Sequence, residues 1–321
     1  MSNKPKTLQA AIKHFSDEQT CIDAIAKLRW PDGPVCPACG HKDHYYLKTQ
    51  KRWKCKECYK QFTVKLGTIF EDSPITLDKW LVALWMLVNC RNGVSSYEVA
   101  RAVGITQKSA WFVLHRLRLA LQGSGFVKLG GDDKIVEVDE TFIGGKARNM
   151  HRSRRRRVQV QNPENFGKTI VMGVLERGGK VRTQVIPHRK ADALRKVIDA
   201  HVEPFTTVHS DEWTGYQSIE QDYDHKVINH LESYVNGEVH TQGIENFWSL
   251  FKRGLSGTYV AVEPFHLFRY ADEQAFRFNH RKDADGNKLQ DADRFEIALS
   301  HVAGKRLTFK EVTGKVGETS F

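Results

Sequence analysis

The stretch Ile135-Val136-Glu137-Val138-Asp139-Glu140-Thr141-Phe142-Ile143 decides how the chain reads. Its β-branched and aromatic residues spell a strand, yet three acids stand among them, and acids are depleted from strands. An acid in mid-strand needs a reason. Hard divalent ions such as Mg2+ take carboxylate oxygens, and a strand inside a sheet holds such an oxygen rigidly. Taken alone, Asp139 has the plainer reading of an acid on a solvated edge strand.

Downstream of this run the texture alternates. Thr169 to Leu175 and Val181 to Ile186 predict two strands joined by a Gly178-Gly179 turn, Ala191 to His201 a helix, Thr206 to His209 a buried strand, His225 to Ile228 a short strand, and Gly243 to Leu255 a helix. That order describes a mixed α/β layer domain. Asp211 follows the buried strand at its carboxyl end, where α/β sheets place their chemistry, although a turn or helix N-cap aspartate looks the same. In the last helix Ile244, Phe247, Trp248, Phe251 and Leu255 form the buried stripe. Glu245 and Lys252 both border it, two turns apart on one side, as an ordinary exposed Glu–Lys pair also would. Together Asp139, Asp211 and Glu245 answer a single need: two divalent ions about 3.5–4 Å apart clamp the attacking and leaving oxygens of a phosphodiester. Glu137, Glu140, Glu212 and Glu238 are the nearby acids most easily mistaken for ligands.

Upstream, Thr76 to Gln122 is helical. Trp80, Leu81, Leu84, Trp85 and Val88 make one stripe, Ser95-x-x-Glu98 caps a shorter helix, and Thr106 caps a third with Trp111, Leu114, Leu117 and Leu121 inward. Short helix, tight turn and longer helix outline a helix-turn-helix, whose last helix would offer Lys108, His115, Arg116 and Arg118 to DNA; a plain helical bundle gives the same pattern. Residues 16 to 30 predict a helix opened by a Ser16-x-x-Gln19 capping box and closed at Trp30-Pro31-Asp32-Gly33. Between these lie Cys36-x-x-Cys39 and Cys55-x-x-Cys58, 15 residues apart, the spacing of a four-cysteine structural zinc ribbon with a closed ligand shell. Lysines and the aromatic Tyr45, Tyr46 and Trp53 crowd around it, which suits DNA, and a protein partner as well. Cys21 and Cys90 fall in apolar helical contexts and read as core residues.

The bulk numbers agree. A chain of 321 residues with 40% hydrophobic and 27% charged residues has room for several folded domains. A net charge of +11 points to a polyanion, and seven of the basic residues, Lys146, Arg148, Arg152, Arg154, Arg155, Arg156 and Arg157, share one acid-free stretch. That run reads either as a solvated loop or as a phosphate-gripping arm. With no run near the ~20 apolar residues of a membrane span and no apolar signal core in Met1 to Lys13, the expected place is the cytoplasm of a bacterial cell, on the nucleoid.

Several of these motifs, in order, resemble one family. Arg29-Trp30-Pro31-Asp32-Gly33 before Cys36-Pro37-x-Cys39-Gly40, Val138-Asp139-Glu140-Thr141-Phe142-x-Gly144-Gly145, His209-Ser210-Asp211, and His240-Thr241-x-Gly243-x-Glu245-Asn246-Phe247-Trp248-Ser249-x-Phe251-Lys252-Arg253 are similar to the zinc-ribbon DDE insertion-sequence transposases of the Merlin-related, ISXO-like group. The resemblance runs over roughly residues 15 to 282. It implies a multidomain α+β chain with a ribonuclease H-like core and a metal triad that falls on Asp139, Asp211 and Glu245. It also implies a basic residue seven positions later at Lys252, with Arg253 beside it. The expected domains are 1–70 with the ribbon, 71–128 helical, 129–285 catalytic, and a tail of 286–321. Expected partners are double-stranded DNA, as element ends and target, and a second copy of the chain. Expected cofactors are structural Zn2+ and two catalytic Mg2+ or Mn2+ ions, serving hydrolysis and 3′-hydroxyl strand transfer. A transposase-derived binding protein without catalysis and a cellular nuclease of the same core are the competing expectations.

Overall fold

The structure is a computed structural model and describes residues 4–122, 127–145, 149–161, 165, 167–228 and 239–314. Two compact units make it up, one from the described residues through 122 together with 280–314, the other from those between 127 and 279.

In the first unit α1 (Leu8–His14) precedes α2 (Glu18–Arg29). Asp17, not Ser16, caps α2, because its carboxylate accepts the Thr20 N–H. The ribbon is a three-stranded antiparallel sheet, β1 (His44–Leu47), β2 (Arg52–Cys55) and β3 (Gln61–Phe62). It is too small to bury a core of its own, so its aromatic residues gather on α2: Trp30 lies 5.3 Å edge-on to Trp53, Trp53 stacks 5.8 Å from Phe62, and the Tyr46 hydroxyl donates to Gln19.

Next come α3 (Leu77–Asn89), α4 (Ser96–Val103) and α5 (Gln107–Leu121). Every residue of the expected α3 stripe is buried. The Ser95–Glu98 capping box is present in both directions, and α4 ends at Gly104 with φ of 66°, where an added Cβ would be strained. Cys21 is buried as expected; Cys90, at the end of α3, is exposed, since the chain leaves the helix there.

Residues 286–314 are not a separate tail. α10 (Asp291–Ser300) sets Phe295 5.4 Å from Phe15 and 5.3 Å from Trp85, and the backbone of Val302 accepts from Ile69 N–H. α11 (Phe309–Val312) brings Phe309 5.7 Å from Phe112 of α5. The short apolar spacing of this segment gives no signal of where it docks; residues 315–321 lie outside the described residues.

The second unit is built on a mixed five-stranded sheet in the order β6 (Val181–Ile186), β5 (Thr169–Glu176), β4 (Ile135–Ile143), β7 (Thr207–Asp211), β8 (Asp224–Ile228), and it is consistent with a ribonuclease H-like core. β4 is central, antiparallel to β5 and parallel to β7, so its acids are not on an edge. Side chains alternate across the sheet. One face, carrying Val136 and Val138, packs on α7 (Ala191–His201) through Leu194, Val197 and Ile198. The other, carrying Val171 and Leu175, packs on α8 (Gln242–Gly254) and α9 (Leu267–Asn279). Two glycines permit close approach of α8. A Cβ on Gly173 would sit 2.6 Å from Trp248 and 2.7 Å from Ile244, and one on Gly243 would sit 2.8 Å from the Glu137 carboxylate. The stretch with the arginine run is the helix α6 (Arg152–Gln161). Among the described residues no helix is long and apolar enough to cross a membrane.

Candidate active site and metal centre

The zinc ligands are set by tight turns before β1 and after β2. Cys36 Sγ and Cys58 Sγ lie 3.6 Å apart, as do Cys39 Sγ and Cys55 Sγ, and all four sulfurs fall within 4.8 Å of one another. A tetrahedron with Zn–S bonds near 2.3 Å has S–S edges of about 3.8 Å, so the donor set fits a structural Zn2+ with no open position. Burial opposes ionisation of Cys36, but the backbone N–H groups of Ala38 and Cys39 and the neighbouring Cys39 and Cys58 thiols together outweigh it and bring the thiol down to about 7.

In the second unit the neighbours of Asp139 explain its environment. Asp139 lies in mid β4, opposite Gly173 on β5. The parallel register Val136↔Val208 and Glu137↔His209, carried two residues on, sets Asp139 beside Asp211 at the end of β7. Glu245 sits in the first turn of α8, where Thr241 Oγ1 donates to it at 2.9 Å. Burial, then the negative charges of Glu140, Asp211 and Glu245, push Asp139 up to about 7, partly offset by the Glu140 N–H that donates to its Oδ1 at 2.8 Å. Asp139 thus carries an excess of negative charge from its neighbours, with Arg189, 3.3 Å from Asp211, as a nearby counter-charge, and the carboxylate donor set suits a hard divalent cation. Their oxygens do not crowd around one point: among the described residues the four cysteines form the one acid, histidine or cysteine group closed to 4.8 Å.

Two other acids of the region, Glu137 and Glu140, are already engaged. Glu137, fully buried on the α8 face, accepts from Arg177 Nε at 2.9 Å and from the Ile244 N–H of α8 at 2.9 Å. Glu140, on the α7 face, accepts from the Tyr216 hydroxyl and from Arg189. Glu212 is exposed, and Glu238 lies outside the described residues.

Residues 128–279 match the family model described as an ISXO2-like transposase domain, and residues 16–61 match the one described as a transposase zinc-ribbon domain. The chain belongs to the ISXO2-like DDE transposases with an amino-terminal zinc ribbon. It is also similar to a protein of Halobacterium salinarum described as "Uncharacterized protein in transposable element ISH50", at 25% identity over 257 residues that span 76% of this chain and 85% of that one. Membership in an ISXO2-like transposase family carries polynucleotidyl transfer and DNA binding with it.

Of the basic residues expected to touch DNA, this transposase exposes some and buries others. Lys252 and Arg253 are exposed on the last turn of α8, and Arg155, Arg156 and Arg157 are exposed on α6. Arg154 belongs to α6 by its backbone, while its side chain and residues 146–148, with Lys146 and Arg148, lie outside what the structure describes. Arg116 and Arg118 are corrections: they are 3% and 1% exposed, so neither faces DNA. Arg116 donates to the Glu71 carbonyl at 2.7 Å and lies over the rings of Trp80 and Phe112. α5 is buried nearly all round, with Lys108 as its exposed residue, which is not the free outer face of a recognition helix.

Two arginines escape a reading of the sequence. Arg189 bridges Glu140 and Asp211, reaching Asp211 Oδ2 at 3.3 Å, with its guanidinium 4.1 Å from the Trp213 ring. Arg177, beside a Gly-Gly turn that looks solvated, joins Glu137, His209 Nδ1 at 3.1 Å and the His240 carbonyl at 2.8 Å. His209 and His240 belong to the motif residues but carried no role there; burial, then the Arg177 charge, hold His209 down to about 4 and therefore neutral.

Proposed function

We propose that this chain is a transposase that cuts and joins DNA at the ends of its own element, with Asp139, Asp211 and Glu245 as the ligands of catalytic Mg2+ or Mn2+. The observation that supports this is the electrostatic coupling of Asp139, in mid β4, to Asp211 at the carboxyl end of β7 and to Glu245 in the first turn of α8. Asp139, Asp211 and Glu245 would hold such ions, which would supply Lewis-acid stabilisation of the charge that develops on a phosphodiester and would activate a hydroxyl for attack. The protein holds the carboxylates rigidly and needs no serine or cysteine nucleophile. Lys252 and Arg253 reach phosphates flanking the cut, and Arg155, Arg156 and Arg157, with Arg154 among them, grip the backbone farther along the duplex. The ribbon adds a second DNA contact through Lys54 and Lys56, which lie over the exposed rings of Tyr59 and Tyr45. Two ends held for joining call for at least a dimer. Reduced thiols for zinc and access to DNA place the work in the cytoplasm.

The test is incubation of the purified protein with duplexes carrying the flanks of its own gene. Mg2+- or Mn2+-dependent cutting is expected from the wild type and none from Asp139→Asn. Robust cutting by that variant overturns the assignment of the triad.

A further inference from the structure

The two glutamates that flank Asp139 are spent on structure, and each is tied to a different distant acid. Glu137 is buried on the α8 side of β4, and its Oε2 accepts the Ile244 N–H at 2.9 Å, one residue before Glu245. The first turn of a helix leaves N–H groups without intrahelical partners and carries a partial positive charge, so a carboxylate there both satisfies a donor and fixes the helix end. Gly243 makes this approach possible, since a Cβ would lie 2.8 Å from the same oxygen and 3.0 Å from Leu175. Arg177 holds the other oxygen at 2.9 Å and, through the His240 carbonyl at 2.8 Å, the chain that enters α8. Glu140 points to the opposite face, where Tyr216, itself fully buried, and Arg189 take its oxygens. Arg189 then reaches Asp211 Oδ2 at 3.3 Å and stacks on Trp213, whose N–H donates to Asp211 Oδ1 at 3.1 Å and whose ring N–H donates to the Arg189 carbonyl at 3.1 Å.

We infer that Glu137 and Glu140 are positioning residues, Glu137 for Glu245 through the amino terminus of α8, and Glu140 for Asp211 through Arg189. This rests on the proposed triad. One strand thus supplies a ligand and, on its two faces, the anchors of the other two. A carboxylate ligand left to wander loses metal affinity, and groups that orient ligands are worth about 10–100-fold in that affinity.

The test uses the full-length, zinc-loaded protein without DNA. Mn2+ binding is titrated, and amide hydrogen exchange is followed at residues 241–247 and 211–214, the second segment leaving out His209, which Arg177 ties to Glu137. Glu137→Gln is expected to weaken Mn2+ binding about tenfold or more and to speed exchange in 241–247 alone. Glu140→Gln is expected to weaken it comparably and to speed exchange in 211–214 alone. Unchanged Mn2+ affinity, or faster exchange in both segments from either variant, overturns the assignment. If either variant fails to fold, Gly243→Ala stands in for the first and Arg189→Lys for the second, with the same segment-specific outcome required. Asp139→Asn separates the two readings: it should abolish Mn2+ binding and leave exchange in both segments unchanged. Intact Mn2+ binding in that variant sinks the triad, while the exchange data judge the anchors by themselves.

Discussion

Replacing Gly173 by alanine tests whether the sheet was shaped to receive α8. The new Cβ would meet Trp248 Cζ2 at 2.6 Å, Ile244 Cδ1 at 2.7 Å and Trp248 Cη2 at 3.0 Å. Ordinary carbon contacts lie near 3.5–4.0 Å, so the overlap is about 1 Å at two points. Neither partner has room to swing, since Trp248 is 4% exposed and Ile244 is 0%. Overpacking of this kind costs about 1–3 kcal/mol, against about 0.4–1 kcal/mol gained by stiffening the unfolded chain. The net is a loss of about 1–2 kcal/mol, or a fall in melting temperature of about 2–8 °C for a domain of this size. The strain is relieved by lifting α8, which carries Glu245 away from Asp139; a misplacement of about 1 Å costs on the order of a hundredfold in rate. Thermal unfolding and metal-dependent cleavage, the latter run well below the melting point, read the two effects separately. Trp248→Phe removes the clashing indole atoms, so the double variant should lose less stability than the two singles added together. A Gly173→Ala protein that melts at or above the wild type, or a double variant whose loss equals the sum, refutes the packing argument.

Further outcomes follow from the same geometry. Removing zinc with a chelator, or changing Cys58 to serine, should unfold the ribbon and free the ring cluster of Trp30, Trp53 and Phe62, seen as a shift in tryptophan emission; an unchanged spectrum counts against a structural ion. Arg116→Ala should cost about 2–3 kcal/mol of stability through its buried bond to Glu71 and leave duplex affinity unchanged. Changing Arg155, Arg156 and Arg157 together to alanine should do the reverse, sparing the melting point and lowering the slope of log affinity on log salt by about 3. His201, His225 and His301 are each held below their ordinary value of 6.5, chiefly by burial. The unfolded chain therefore binds more protons, and stability should fall as pH drops through 6.5; denaturant midpoints that rise from pH 7.5 to 5.5 contradict this.

Much of the architecture was legible because it is written in local periodicity. The alternation of Ile135 to Ile143, the cap at Ser95 and Glu98, the stripe from Trp80 to Val88 and the paired cysteines each depend on neighbours a few residues away, and each is found where it was read. The stripe of α8 was legible in the same way, since Ile244, Phe247, Trp248 and Phe251 all turn inward. α6 was less so: an arginine run has no apolar face, and a helix without one looks like a solvated loop.

Sequence alone determined the family, the ribbon and the succession of strands and helices along the chain, because spacing within a few residues fixes the shape of a turn, a strand or a helix face, while the order of the strands within the sheet came from the tertiary structure. Only tertiary structure decided which charges are spent inside. Arg116 and Arg118 look like DNA contacts until packing buries them, and Glu137 and Glu140 look like metal ligands until Ile244, Arg177, Tyr216 and Arg189 claim their oxygens. A charge's partner can lie a hundred residues away, as Ile244 does from Glu137, and no local pattern records such a pairing.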